Sequence, residues 1–314
     1  MIKNKTISGK ITLVLCYILL TIITLSVLYP LLWVIMGSFN PGDSLFKPSL
    51  IPCEWVQKEA PSQVALDKNS SSENETSQQE TKKKLDCKMT TAHYKYLFTE
   101  TDYAKWYWNT FKIAFGNMVL STFFIVTAGY VFSRYRFKGR KYSLMTMLVL
   151  QMFPSFMGMI AIYLLLDRIG LLDTHIGLVL VYAGGAIPFG AWLVKGYFDG
   201  IPRSLEEAAR IDGAGHMTVF FKVMMPLSRP ILVFVAVNNF ISPWMDFIFA
   251  RFVLTSTEKK TLAIGLFDMV TGKSSTQFTN FAAGAVLVAI PITILFVIFQ
   301  KHIVEGLKAG ANKG

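Results

Sequence analysis

Long apolar stretches alternate with short polar segments along the 314-residue chain. Five stretches that lack Asp, Glu, Lys and Arg are at least as long as the roughly 20 residues that a helix needs to cross a bilayer. They cover residues 11–42, 113–133, 142–166, 174–194 and 274–300. A sixth run, residues 230–245, is shorter, but the apolar residues after Asp246 extend it. The pattern predicts an all-α integral membrane protein with six transmembrane helices.

The segment boundaries follow from the apolar runs and the charges that flank them. The third run contains Pro154 and Gly158, which permit a kink where neighbouring helices satisfy the freed backbone groups. From the N-terminus we assign a tail at 1–10, TM1 at 11–36, an outer segment at 37–106, TM2 at 107–133, TM3 at 142–166, TM4 at 174–197, a polar loop at 198–228, TM5 at 229–250, an outer loop at 251–280, TM6 at 281–300 and a C-terminal tail at 301–314.

Composition and charge agree with a membrane protein of fixed orientation. Hydrophobic residues make up 53% of the chain and charged residues only 16%, whereas soluble domains carry about a quarter charged residues. The formal net charge is +11, and the segments on the N-terminal side of the membrane carry all of it. The positive-inside rule therefore places both termini in the cytoplasm, with the apolar spans in contact with membrane lipid. The excess of basic residues reflects the membrane topology of the chain, and no nucleic-acid partner is expected.

One outer stretch differs in composition from the rest of the chain. Residues 68–84 consist of Lys, Asn, Ser, Glu, Gln and Thr, which cannot bury a core. We therefore predict a disordered insertion at about 53–92. Cys53 and Cys87 bracket the polar stretch on the oxidising side of the membrane. A disulfide between these cysteines and a pair of free thiols are both compatible with the sequence.

Candidate catalytic and metal-binding groups are scattered. Residues 272–274 read Gly-Lys-Ser, as at the end of a phosphate-binding loop, but the full pattern requires a glycine where the chain has Phe267. The four histidines have no second ligand at the spacing of a metal site. No nucleophile–base set or pair of acids within a span stands out. The sequence predicts a protein that is not an enzyme and holds no metal or cofactor of its own.

TM5 carries polar and aromatic groups that form a candidate substrate pathway: Asn238, Asn239, Trp244 and Asp246. A charged group in a span is costly, so Asp246 either faces a cavity or partner or lies near the outer interface in a salt bridge with Arg251. The two amides either bridge helices or line a pathway. The Trp244 ring either stacks on a sugar or packs against neighbouring helices.

The polar loop at 198–228 contains a spaced motif. Glu207-Ala208-Ala209 is followed by three residues, Gly213, nine residues, and then Val223-x-Met225-Pro226. Pro202 suits the start of a helix, acids occupy its first turns, and Gly213 suits its end. The spacing resembles the EAA loop of binding-protein-dependent ABC importer permeases. The C-terminal tail and the TM5 sequence resemble the MalG-like, maltose/maltodextrin-type members of that family.

This resemblance implies the type I ABC importer permease fold, a location in the plasma membrane of a bacterium, and a half-pore without enzymatic activity. It also implies four kinds of partner: a MalF-like second permease, two ATPase subunits that bind ATP and Mg²⁺, an extracellular solute-binding protein, and an oligosaccharide substrate. Malto-oligosaccharides are the first expectation, and galactan- or arabinogalactan-derived oligomers the second. An ion-coupled secondary transporter is a further alternative, but coupling groups within the spans and repeated halves are not visible in the sequence.

The resemblance also assigns roles to residues of this chain. Contact with the ATPase is expected from Glu206, Glu207, Ala208, Ala209, Asp212, Gly213 and Pro226. A flexible C-terminal tail that reaches between the ATPase subunits is expected from Gly306, Lys308, Gly310, Lys313 and Gly314. A loop that probes the binding protein is expected, by position alone, from Asp268, Thr271, Gly272 and Lys273.

Overall fold

The computed structural model describes a chain that is helical almost throughout. The residues described are 7–41, 53–57, 83–87, 89–271 and 277–311. Their helices are α1 (Ile7–Gly37), α2 (Ala92–Thr99), α3 (Tyr103–Arg134), α4 (Arg140–Leu150), α5 (Met159–Arg168), α6 (His175–Asp199), α7 (Ser204–Ile211), α8 (His216–Thr218), α9 (Met225–Leu227), α10 (Arg229–Met245), α11 (Ile248–Val253), α12 (Leu262–Thr271) and α13 (Phe278–Ala311). Two 3-10 turns (Ser155–Gly158 and Thr257–Lys259), a π-helical turn (Val219–Met224) and two strands, β1 (Cys53–Gln57) and β2 (Lys83–Cys87), accompany them.

The first of two compact units comprises residues 1–96 and 274–286. Its long helix α1 is apolar, and its membrane-length part from Lys10 to Gly37 has no buried residue in the most hydrophobic window. Polar contacts join the end of α1 to α2 within this unit. The Ser38 and Tyr94 hydroxyls lie 2.7 Å apart, and a ring nitrogen of His93 lies 2.8 Å from the Asn40 carbonyl oxygen.

A two-stranded antiparallel sheet occupies part of the insertion. Its register places Cys53 opposite Cys87 and Trp55 opposite Leu85. The sequence prediction of disorder at about 53–92 is therefore wrong for the two strands, where apolar residues flank the polar stretch and permit cross-strand pairing. Residues 58–82 lie outside the described part of the chain.

The second unit, residues 97–273 and 287–314, is built on the packing of α3 against α6. A Cβ atom at Gly129 of α3 would lie 2.7 Å from a methyl group of Val194, and one at Gly190 of α6 would lie 2.5 Å from Ile125. These two glycines let the helices approach closely, as small residues do in membrane helix pairs. Helix α10 also packs against α3 and joins the same core cluster.

Four helical segments of the described chain are long and apolar enough to cross a membrane: Lys10–Gly37, Tyr103–Arg134, His175–Asp199 and Phe278–His302. They correspond to the predicted TM1, TM2, TM4 and TM6. A fifth candidate is formed by the helical segment His216–Leu227 with α10, which is bent by 80° at Ser228.

The structure divides the predicted TM3 into two short helices, α4 and α5. Helix α4 ends at Leu150, a 3-10 turn follows Pro154, and α5 begins at Met159. Pro154 has no N–H to donate, and its ring disfavours helical geometry at the preceding residue. The kink expected from Pro154 and Gly158 is therefore a full interruption of the helix.

The Asp173 carboxylate joins the loop after α11 to the turn between α5 and α6. Asp173 has a positive φ of 53°, and its side chain accepts hydrogen bonds from the N–H groups of Thr255 (3.0 Å) and Ser256 (3.1 Å). It also accepts from the Ser256 hydroxyl and the Lys259 ammonium group. Burial alone would raise the pKa of Asp173, but the hydrogen bonds from Ser256, Lys259 and Thr255 outweigh it and lower the pKa to about 2.

We expect this contact to make stability depend on pH in the acid range. Since the folded pKa lies below the ordinary value of 3.8, the stabilisation is present above that value and is lost as the pH falls toward about 2. Asp173→Asn, which tolerates a positive φ, should lower the unfolding temperature in detergent at pH 6. At pH 2 the variant and the wild type should converge. A constant difference between them across this pH range would contradict the prediction.

Candidate coupling segment and transmembrane cavity

The predicted EAA loop folds into two helical arms joined by a glycine turn. The first arm is α7, with Glu206 and Glu207 in its first turn. At its end the Gly213 N–H donates to the Arg210 carbonyl at 3.0 Å, and the Ala214 N–H donates to the Ala209 carbonyl at 2.9 Å. This pair of bonds is a Schellman motif, which requires a left-handed residue. Gly213 supplies it with a φ of 85°, so the predicted helix stop is confirmed.

A buried ion pair ties α7 to the end of α3. The Arg134 Nε atom donates to the Glu206 carboxylate, and each side chain is only 6% exposed. The remaining N–H groups of Arg134 donate to the Ile201 carbonyl (3.0 Å) and the Ser133 hydroxyl (3.2 Å). The structure thus places Glu206 inside the protein, where it holds α7 in position, and the expectation that Glu206 contacts the ATPase needs correction.

The outward side of the two arms is exposed and largely apolar. We define the coupling face as Glu207, Ala208, Ile211, Met217 and Phe221. Ile211 at the end of α7 is 86% exposed, and Met217 in the second arm is 73% exposed. Of the other residues expected to contact the ATPase, Asp212, Gly213 and Pro226 are also exposed, whereas Ala209 is half-buried against the core.

The second arm, His216–Leu227, leads from the coupling face into α10. Val219 and Met224 are fully buried and anchor it to the core between α3 and α6. Its middle is a π-helical turn that ends just before Pro226. Pro226 and Pro230 lack the N–H groups that a continuous helix would use at the 80° bend. Backbone hydrogen bonds on both sides of the bend, from Ser228 to Met224 and from Leu232 to Ser228, keep the arm and α10 in one continuous helical path.

A cavity of about 940 Å³ opens within the second unit. Its walls are mostly apolar residues of α5, α6 and the segment around α11. Polar groups enter it from α3, α6, α10 and the residue that follows α10, namely Asn117, Tyr182, Asn239, Ser242 and Asp246. The combination of a large apolar wall and a few polar groups is typical of small-molecule sites.

Asn117 is a site residue that the sequence analysis missed. Its side chain is 1% exposed, and its Nδ2 group donates to the backbone carbonyl of Asn239 at 2.7 Å. In a regular helix that carbonyl would accept from residue 243, which is Pro243 and has no N–H. Asn117 therefore satisfies the acceptor that Pro243 leaves free. The sequence shows an amide in TM2 and a proline in TM5, but it does not show that these two residues lie next to each other in the fold.

We expect Asn117→Ala to destabilise the protein only while Pro243 is present. Leaving the Asn239 carbonyl unpaired should cost about 1–3 kcal/mol. In a Pro243→Ala background the helix regains the N–H at residue 243, so the same change at Asn117 should cost less. Unfolding free energies of the four proteins, measured in detergent with increasing denaturant, give the coupling between the two sites. Equal costs in both backgrounds would show that Asn117 does not serve this carbonyl.

Comparison with known proteins identifies the family. A family model described as "Binding-protein-dependent transport system inner membrane component" matches residues 97–309. The chain belongs to this family. It is 38% identical over 317 residues to the galactooligosaccharides transport system permease protein GanQ of Bacillus subtilis, with 100% of both chains covered. It is also 38% identical over 311 residues to the maltodextrin transport system permease protein MdxG of the same organism, with 99% of this chain and 100% of the relative covered.

A solved structure of a bacterial ABC transporter involved in alginate import has the same fold. The TM-score is 0.74 at 24% identity, with 95% of this chain and 98% of that chain covered. The MetNI methionine transporter gives a TM-score of 0.50 at 18% identity, over 63% of this chain and 93% of that chain. The type I ABC permease fold is therefore confirmed. The chain is a multi-pass membrane permease and not an enzyme.

Asp246 of this permease lines the cavity and caps a helix. Its carboxylate accepts from the Tyr182 hydroxyl and from the N–H groups of Phe249 (3.2 Å) and Ala250 (3.1 Å) at the start of α11. Arg251 instead pairs with Asp268 at 2.9 Å. The cavity alternative for Asp246 is thus the correct one, and the salt bridge with Arg251 is wrong.

The other pathway candidates of the permease divide between the cavity and the core. Asn239 lines the cavity, while the exposed Asn238 donates to the Phe234 carbonyl at 2.8 Å and lies beside a smaller adjoining pocket. Trp244 is 5% exposed, and its ring centroid lies 5.1 Å from that of Tyr107. The position of Trp244 favours the packing alternative over stacking on a sugar.

The remaining candidates belong to the predicted probe loop and to the predicted C-terminal tail of the permease. Asp268 belongs to α12 and pairs with Arg251 and Lys260, and the Thr271 hydroxyl donates to the Phe267 carbonyl. Gly306, Lys308 and Gly310 lie on the helical backbone of α13, which continues to Ala311 where the sequence analysis expected a flexible tail. The candidates outside the described residues are Gly272, Lys273, Lys313 and Gly314.

Proposed function

We propose that this permease forms half of a translocation pathway for oligosaccharide import and is driven by ATPase subunits that dock on the coupling face. The observation that carries the proposal is the exposed coupling face, whose α7 part is fixed to α3 by a buried ion pair. A rigid surface transmits the displacement of a docked partner into the membrane helices. The exposed Glu207 carboxylate supplies a charge that can orient the docked ATPase. The small side chain of exposed Ala208 lets the ATPase approach α7 closely.

The proposed assembly contains two ATPase subunits, a second, MalF-like permease and an extracellular solute-binding protein. The ATPase subunits would bind ATP and Mg²⁺. In this arrangement the coupling face, both termini and the basic loop after α3 face the cytoplasm. The distribution of charge along the sequence supports that orientation.

The driving force can be tested in proteoliposomes that contain the assembled transporter. Uptake of labelled oligosaccharide should require ATP on the side of the bilayer that carries the ATPase subunits. It should persist when the proton and sodium gradients are collapsed. Ile211→Glu on the coupling face should reduce co-purification of the ATPase and uptake together. Uptake that continues without ATP and stops without an ion gradient would support a secondary transporter instead.

Malto-oligosaccharides are the proposed substrate, and galacto-oligosaccharides are the second candidate. MdxG supports the first and GanQ the second, at the same identity of 38%. Several polar groups in the cavity, among them Asn239, Ser242 and Asp246, can bond to sugar hydroxyls of either class. Calorimetric titration of the cognate solute-binding protein with maltotetraose and with a β-galacto-tetraose separates the two proposals.

We also propose that Cys53 and Cys87 form a disulfide. Opposite residues of antiparallel strands lie about 4.5–5.5 Å apart in Cα position, which is within the range of disulfide-linked residues. Cys53 and Cys87 are directly opposite residues in the antiparallel pairing of β1 with β2. A membrane-impermeant maleimide should label neither cysteine before reduction and both after it. Labelling of both cysteines without reductant would exclude the disulfide.

A further inference from the structure

A basic pocket lies away from the coupling face and the large cavity. Its volume is about 570 Å³, and it opens beside the first turns of α4. Arg140 and Lys141 of α4 and Lys195 of α6 supply its positive charge, and Tyr142 and Met145 supply part of its apolar wall. The transport mechanism proposed above makes no use of this pocket.

Two of the three cations in the pocket are available for an external anion. Lys195 pairs with Asp199 at 2.6 Å. Arg140 and Lys141 form no ion pair with any residue in the described part of the chain. The start of α4 adds to this charge, because its N-cap is Gly139, which offers no side-chain oxygen to the free N–H groups of the first turn. The pocket therefore attracts an anion.

An apolar stripe continues from the pocket along α4. Tyr142, Met145 and Val149 occupy one side of the helix at spacings of three and four residues. They are 76%, 52% and 52% exposed. A small soluble anion would use the cations and leave this stripe unused, whereas a phospholipid has a charged headgroup and an acyl chain that fit both.

We propose that this pocket binds an anionic phospholipid. The phosphate lies between Arg140, Lys141 and the N-terminus of α4, and an acyl chain follows the stripe past Met145 and Val149. Basic pockets next to membrane helices recognise anionic headgroups in this way. The proposal does not depend on which sugar is transported or on how the ATPase docks.

The test uses the full-length chain in detergent and measures bound lipid by native mass spectrometry. Phosphatidylglycerol is titrated in parallel with phosphatidylethanolamine of the same acyl chains. The pocket variant is Arg140→Gln with Lys141→Gln. The control is Arg136→Gln with Lys138→Gln, which removes the same charge from exposed residues just before α4 that do not line the pocket.

The wild type should bind phosphatidylglycerol more tightly than phosphatidylethanolamine. The pocket variant should lose about 30-fold in affinity for phosphatidylglycerol, since each basic side chain near an anionic lipid surface contributes about fivefold. The control should lose much less. Met145→Ser should weaken binding of phosphatidylglycerol but not of glycerol phosphate, and it tests the acyl-chain contact without a change of charge.

Three results would overturn the proposal. Equal binding of the two lipids would remove the charge selectivity, and equal losses in the two double variants would indicate a general effect of net charge. Binding of glycerol phosphate or inorganic phosphate as tight as that of the lipid would assign the pocket to a soluble anion. Thermal unfolding of each variant in the same detergent verifies that it is folded.

Discussion

Gly213→Val should reduce ATP-driven uptake by about 5- to 30-fold, because it strains the turn between the two arms of the coupling segment. Gly213 has a φ of 85°, and this left-handed geometry costs a residue with a side chain about 1–2 kcal/mol, more when it is β-branched. That strain lowers the population of the geometry that docks on the ATPase by the same factor. Uptake and retention of the ATPase during purification should fall together.

Gly213→Asn is the matched control for this prediction. A Cβ atom at Gly213 would meet no atom within 4 Å, so added volume alone should have little effect. Asparagine tolerates left-handed geometry better than other residues, and the variant should keep most of the activity. Gly213→Asp should lie between the two. An equal loss of uptake in the valine and asparagine variants would show that strain in the turn is not the cause of the loss.

The helices and the turn could be predicted because their signals are local. Runs of apolar residues locate α1, α3, α6 and α13, and Gly213, two residues after Ile211, locates the end of α7. A proline in TM3 predicts a disturbance of that helix, but its extent depends on how neighbouring groups satisfy the backbone. A helix break between α4 and α5 therefore could not be distinguished from a kink by the sequence alone.

Pairings between distant residues could not be predicted. Glu206 and Glu207 are adjacent acids with the same local pattern, yet only Glu206 meets Arg134, which is 72 positions away in the sequence. Asp246 and Arg251 are close in sequence, but Asp268 takes the arginine. The Asn117 side chain donates to the Asn239 carbonyl, which is 122 positions away. In each case the partner is chosen by helix packing, which carries no local signal.

The ion pair between Arg134 and Glu206 yields the second large expected effect. Glu206→Gln leaves the Arg134 charge buried without its counter-ion, which should cost about 3–5 kcal/mol of stability. The matched comparison is Lys195→Gln, which breaks the Lys195–Asp199 pair and leaves the hydrogen bond from the Ser133 hydroxyl to Asp199 in place. Those two side chains are 22% and 27% exposed, against 6% for each member of the buried pair, and pairs nearer to solvent contribute about 0–1 kcal/mol.

A double variant separates burial of charge from loss of packing. Arg134→Met with Glu206→Met removes both charges and should recover much of the stability lost in Glu206→Gln. It should not recover transport, because α7 would no longer be oriented by the hydrogen bonds from Arg134 to Ile201 and Glu206. Unfolding in detergent reports the first quantity and ATP-driven uptake the second. If the double variant regained both, the ion pair would serve stability alone, and the connection from the coupling face to the membrane would have to run through the second arm and α10.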